Sequence, residues 1–175
     1  MHPEILSIAL FWFVTAYTPG PNNVVASYSG FNFGITKTIP HILGVTLGFT
    51  SLVIFLTIGL INVFKLFPII QVTIKYLGTL FLIYLAYKIA SSTSSDEDKK
   101  ENPVKFIETF LFQYLNPKGV MVAIIVVSTY VELGENYINY ATQVVILAFL
   151  FSLSSITLWT FIGKFLRKFA TNDKF

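Results

Sequence analysis

Residues 5–31 read ILSIALFWFVTAYTPGPNNVVASYSGF. Without its centre this is an uncharged apolar run, long enough for the ~20 residues a helix needs to cross about 30 Å of hydrocarbon. The centre, Thr18-Pro19-Gly20-Pro21-Asn22-Asn23, interrupts it. Pro19 and Pro21 lack an amide donor and Gly20 admits unusual φ, so the helix should break there. Backbone groups freed in hydrocarbon are costly unless paired. Irregular backbone is therefore tolerated only where protein buries it or where it lines a watery cavity. Thr18, Asn22 and Asn23 bring hydrogen-bonding groups to that place.

Four more apolar segments follow, at about 38–64, 69–90, 106–131 and 140–165. They are continuous and not alternating, which favours helices over a strand barrel. The expected fold is an all-α integral membrane protein of about five spans. The fourth segment is also broken, at Asn116-Pro117-Lys118-Gly119. The run Ser91–Pro103 is polar and charged, and reads as a solvated linker. One membrane domain, 1–175, then divides into a first half, 1–90, a cytoplasmic linker, 91–105, and a second half, 106–175. Each half opens on a broken span, a two-half pseudo-repeat. Interrupted helices in matching positions of two halves point to a transporter's central site.

Composition agrees. The 175 residues are 54% hydrophobic and 12% charged, with mean hydropathy +0.70. Soluble domains carry about 25% charged residues, so lipid is the natural partner of this surface. Cysteine is absent and there are two histidines. That removes disulfides, thiolate metal sites and Cys nucleophiles, and leaves few metal ligands. No metal or cofactor is implied. A membrane-embedded enzyme would need acids or bases inside the spans, and no Asp or Glu lies clearly mid-span. The pI of about 9.0 comes from Lys and Arg between apolar segments, with no basic patch interleaved with exposed aromatics, so nucleic acid is not a partner. The first segment lacks a basic n-region and carries Glu4, so it reads as a retained span and not a cleaved signal.

Those basic residues set an orientation. With the N-terminus outside, Lys37, Lys88, Lys99, Lys100, Lys105, Lys164, Arg167, Lys168 and Lys174 fall inside, and Lys65 and Lys75 outside. The positive-inside rule then favours N-out, C-in.

Lys118 stands apart, within the fourth segment. A cation there faces a partner or a water-filled path, or snorkels to an interface. In the first case Lys118 would offer donors to a carboxylate, while Asn22, Asn23 and freed carbonyls would accept from an ammonium. Glu108 is a possible partner, though an interfacial amphipathic stretch suits it better. His41 opens the second segment, and an interfacial location suits it better than proton relay. Gly44 and Gly48 form a small-xxx-small pattern that lets helices approach closely. Tyr76, Leu77, Gly78, Tyr84 and Tyr87 fit packing, interface or cavity wall equally.

The pattern resembles a known family. Thr18-Pro-Gly-Pro-Asn-Asn23 with Gly30, Phe33 and Gly34 resembles the opening motif of the LysE/RhtB amino-acid exporters. His41–Gly48 resembles their second helix, and Tyr76-Leu-Gly78 through Lys88 their third. Phe106 through Tyr114-Leu-Asn-Pro-Lys118 resembles the signature opening their second half. The resemblance implies efflux of amino acids or close derivatives across the bacterial inner membrane, driven by the proton gradient. It makes Thr18, Pro19, Gly20, Pro21, Asn22, Asn23, Asn116, Pro117 and Lys118 the substrate-site candidates, with Gly44, Gly48 and Gly78 as helix-packing positions. The family has a sixth helix, whereas this chain ends at Phe175. The expectation is a shortened gene, a homo-oligomer or second chain completing the bundle, or a non-transporting membrane subunit.

Overall fold

The structure is a computed structural model. It describes residues 1–60, 66, 67, 69, 72, 73, 76, 77, 79, 80, 83, 87, 103–132 and 134–170. Gly78 and most of the Ser91–Pro103 linker lie outside the described residues.

Among the described residues five main helices run in order: α1 (Ile5–Tyr17), α2 (Pro21–Phe55), α3 (Phe106–Leu115), α4 (Pro117–Tyr130) and α5 (Tyr137–Ala170). A π-helical turn, Leu56–Leu60, continues α2. In the third segment the described residues Ile69, Val72, Thr73, Tyr76, Leu77, Thr79, Leu80, Ile83 and Tyr87 are helical. By length and apolarity, Pro21–Gly59 and α5 each suffice to cross a membrane. α3 and α4 make a further span if taken together across their 60° bend.

α2 is not a straight rod. Gly34, at φ 77°, ψ 178°, interrupts it, a conformation that glycine adopts without a Cβ clash. The chain folds back there. Ser29 Oγ lies 2.8 Å from Thr38 Oγ1, and His41 Nε2 lies 3.2 Å from the Asn22 carbonyl oxygen. In a continuous helix residues 22 and 41 would be about 28 Å apart. The two arms, 21–33 and 35–55, therefore belong to the first and second apolar segments.

α5 serves as a ruler for the rest. At its start, Gln143 Oε1 accepts from the His2 amide, and Tyr137 donates to the Thr57 carbonyl. The His2 ring meets the Tyr130 carbonyl at the end of α4. Near the far end of α5, Arg167 donates to the Asn32 carbonyl at 3.2 Å, which places the Gly34 turn there. At the middle of its 34 residues, Ser154 and Ser155 meet the end of α1. The first break thus lies half-way along a helix about 50 Å long. Glu4, Glu132 and Glu135 sit at the first end, and Lys37, Lys164, Arg167 and Lys168 at the other.

One core joins Ile8 and Trp12 of α1, Leu52 and Val53 of α2, Val120, Ala123, Val126 and Val127 of α4, and Val144 and Ala148 of α5. Outward-facing Leu6, Leu10, Ile58, Ile138 and Phe165 are exposed, as suits lipid contact. Some crossings admit no side chain. A Cβ on Gly30 would lie 2.1 Å from the Thr160 carbonyl oxygen, and one on Gly163 1.8 Å from that of Ser27. On Gly44 it would lie 1.9 Å from Thr109 Oγ1, and on Gly48 2.6 Å from the Phe110 carbonyl oxygen. Glycine here lets α2 lie against both α5 and α3.

Candidate functional site

Each break is narrower than the sequence suggests. α1 ends at Tyr17 and α2 resumes at Pro21, so only Thr18, Pro19 and Gly20 are non-helical. Pro21 does not break a helix but begins one. The first helical position wants no amide hydrogen bond, and proline's fixed φ suits it. Asn22 and Asn23 fall in that same first turn. The second break is one residue, Asn116, which ends α3 and precedes Pro117 at the start of α4.

The carbonyls of Val14, Thr15 and Ala16 at the end of α1, and that of Thr18, are paired. Thr18 closes on itself, its amide donating to the Val14 carbonyl and its hydroxyl to that of Thr15. Asn23 Nδ2 donates to the carbonyls of Ala16 and Thr18, both at 2.9 Å, and Ser155 Oγ to Ala16 at 2.7 Å. Asn23 itself is 5% exposed. These pairings let the backbone leave the helical ladder inside an apolar bundle.

The two breaks touch. Lys118 Nζ donates to the Thr18 carbonyl at 2.9 Å and to Thr18 Oγ1 at 3.0 Å. Gly20 leaves room for it, since a Cβ there would stand 3.0 Å from Nζ. Beside this contact Asn22 and Gln113 exchange hydrogen bonds. Asn22 Nδ2 donates to Gln113 Oε1 at 2.8 Å, and Gln113 Nε2 to Asn22 Oδ1 at 3.2 Å. Gln113 Nε2 also donates to the Thr109 carbonyl.

An open cavity lies between them, about 560 Å³ with its mouth included. Gly20, Pro21, Asn22, Asn23, Asn116 and Lys118 line it, with Gly119. Thr18 reaches the site through Lys118, whereas Pro19 and Pro117 shape the breaks without lining the cavity. Trp12, Thr15, Gln113, Ser152 and Ser155 complete its polar lining. Sequence reasoning missed these five. The available signals were a lone amide in the apolar run before Asn116, and the Phe151-Ser-Leu-Ser-Ser155 cluster in an apolar helix.

Two single-residue expectations change. His41 is not at the surface of the bundle. It is 1% exposed, with Nε2 on the Asn22 carbonyl. Glu108 is not what holds Lys118, because its carboxylate accepts from the Lys105 amide at the start of α3.

Chemically, the cavity gathers positive potential. The first-turn amides of α2 and α4 have no intrahelical acceptor, and helix N-termini favour anions. Among the described residues, Lys118 is the one charged residue in the lining, and none of those lining residues carries a carboxylate. The C-terminal end of α1, of opposite polarity, faces the same space through Thr15 and Ala16.

The LysE type translocator family matches residues 13–173. A cysteine/O-acetylserine efflux protein of Salmonella typhimurium (strain LT2) is 31% identical over 166 residues, covering 93% of this chain and 84% of its own length. The protein of the same description from Escherichia coli (strain K12) is 27% identical over 167 residues, with the same coverage. No solved structure matches. With a family match over nearly the whole sequence, the chain belongs to the LysE type translocators.

Proposed function

We propose that this translocator exports a small amino acid, or a close derivative of one, by holding it as a zwitterion where the two breaks meet. One observation carries the reading. The ammonium of Lys118, on the second break, rests on Thr18 of the first, inside a cavity to which the described residues bring no carboxylate. An incoming carboxylate offers Lys118 a charged acceptor in place of a neutral one, and charge-assisted bonds are the stronger. The N-termini of α2 and α4 add to that preference. Once Lys118 turns away, the Thr18 carbonyl and hydroxyl are free to accept from the substrate's ammonium. Asn22 and Asn23 play a supporting part, because Gln113 and the α1 carbonyls already occupy their amides. The efflux activity of the relatives named above supports the same direction of transport.

In this reading the cavity sits near the bilayer midplane and the halves rock about Gly20 and Gly119, driven by the proton gradient. The membrane is the bacterial inner membrane, with lipid on the outward apolar faces. The basic end of α5 faces the cytoplasm and the acidic end the outside. The Cys-free chain makes this simple to check. With the protein in intact cells, an impermeant thiol reagent should label E135C and spare K168C. The reverse pattern contradicts the orientation.

The functional test is Lys118→Met in reconstituted vesicles. Methionine keeps much of the length and removes the charge. Amino-acid transport should fall by about a hundredfold, the value of a lost charge-assisted contact of roughly 3 kcal/mol, while membrane insertion is retained. Transport at the native rate would make Lys118 an anchor and move the site elsewhere.

A further inference from the structure

At the end of the bundle that carries Glu4, Glu132 and Glu135, one buried imidazole joins three helices. His2 is 6% exposed and stands just ahead of α1. Its Nδ1 accepts from the Glu4 amide at 2.9 Å and its carbonyl from the Ile5 amide at 3.2 Å, so His2 caps the start of α1. Its Nε2 lies 3.0 Å from the Tyr130 carbonyl oxygen, at the end of α4. Its amide donates to Gln143 Oε1 of α5 at 2.9 Å, and its ring lies 4.3 Å from that of Tyr140.

Beneath this clasp the bundle is dry. Ile8 of α1, Leu52 of α2, Leu56, Val126 and Val127 of α4 and Val144 of α5 belong to one core and are at most 3% exposed. Ile8 and Val144 stand one helical turn from Trp12 and Ala148, which line the cavity. A substrate leaving the cavity toward this end must part that core. The clasp holds together the helices that would have to separate.

We infer that His2 is the proton-operated latch of an outer gate. Neutral, it ties α1, α4 and α5 together. Protonated, it releases the Glu4 amide and frees them. The clasp fixes the protonation state on which this depends. Nδ1 accepts from the Glu4 amide, so the single proton of the ring sits on Nε2 and is donated to the Tyr130 carbonyl. Both nitrogens of the neutral ring are thus used. An imidazolium has two donors and no acceptor. Its Nδ1–H would point at the Glu4 N–H, donor against donor, and that contact must break. Imidazole is also the side chain whose charge ordinarily changes between about pH 5 and 8. The other titratable groups around it are the Met1 amine and Glu4 on its own segment, Tyr130 on α4, Glu132 and Glu135 between α4 and α5, and Tyr140 on α5. The three carboxylates are exposed to water. The two tyrosines present rings to His2. The inference rests on the orientation and the proton-driven export proposed above, in which this end faces the proton-rich side. A proton arriving from outside then opens the side on which the substrate leaves.

The test is a distance. Nitroxide labels on L6C and I138C, outward-facing sites near His2 on α1 and α5, report the separation of the two helices in lipid nanodiscs without substrate. As the pH falls from about 8 to about 5, a second distance should appear, longer by about 5 Å. His2→Gln, which keeps a donor and cannot charge, should hold the short distance at both pH values. His2→Ala should show the long distance at both. A separation that ignores pH, or a His2→Gln variant that responds as the native chain does, overturns the inference. Neither result touches amino-acid export, because no substrate is present. If the His2 variants do not insert, a chain carrying E4Q, E132Q and E135Q decides. Its opening by acid should persist, and loss of the response would assign it to the carboxylates and overturn the inference. A chain that transports no amino acid overturns the proposed function and strips the latch of its role in export, while the distances still report whether His2 opens this end.

Discussion

The first break takes Thr18, Pro19 and Gly20 out of the helical ladder, whereas the second takes only Asn116. At the wide break, carbonyls of the last turn of α1 and of Thr18 need partners from elsewhere. Asn23, Ser155 and Lys118 provide them, from three different helices. At the narrow break the backbone largely looks after itself. The Asn116 amide still donates to the Phe112 carbonyl, and its own carbonyl accepts from Val120 at 2.9 Å. So the wide break is held by tertiary contacts and is where substitutions should destabilise. The narrow one is a bend that delivers two side chains, Asn116 and Lys118, to the cavity. Residues of similar appearance in the sequence thus do different work.

This contrast can be broken at several strengths. Asn23→Leu strips one donor from each of two carbonyls at the wide break. It should cost about 1–3 kcal/mol, read as a clear loss of thermal stability in detergent. An unchanged melting profile would mean that the wide break does not depend on this amide. Pro117→Ala at the narrow break should matter least. The first helical position has no intrahelical acceptor for an amide, so the restored N–H disturbs nothing, and the loss of stability should stay below about 1 kcal/mol. A larger loss would show that Pro117 holds the 60° bend itself.

Much of this was legible in the chain. The apolar runs and their two interruptions gave helices broken at the right places, because proline and glycine act locally. That Pro21 and Pro117 begin helices is also a local rule, but it was hidden by reading each motif as one block. The turn at Gly34 was implied by two apolar segments flanking it, yet not its place beside Arg167. Gln113, Ser155 and Trp12 could not be assigned. Their roles depend on which helix lies opposite, and a lone polar residue in an apolar run looks the same whether it caps a carbonyl, pairs with an amide or faces a ligand. The burial of His41 was hidden for a similar reason. Its position at a segment's edge suggested an interface, but the fold-back at Gly34 places the first arm of α2 over it and buries it on the Asn22 carbonyl.

The central claim is that two helix breaks meet to hold an amino acid, with Lys118 as the charged contact. Ser152→Cys tests it most directly. Ser152 lines the cavity from α5, a helix that carries neither break, and the native chain has no other thiol to confuse labelling. The rate of maleimide reaction at this cysteine should fall when L-serine or O-acetyl-L-serine is added, and the protection should vanish when Lys118→Met is introduced into the same protein. Protection by neither amino acid, or protection undiminished without the Lys118 charge, would contradict the account.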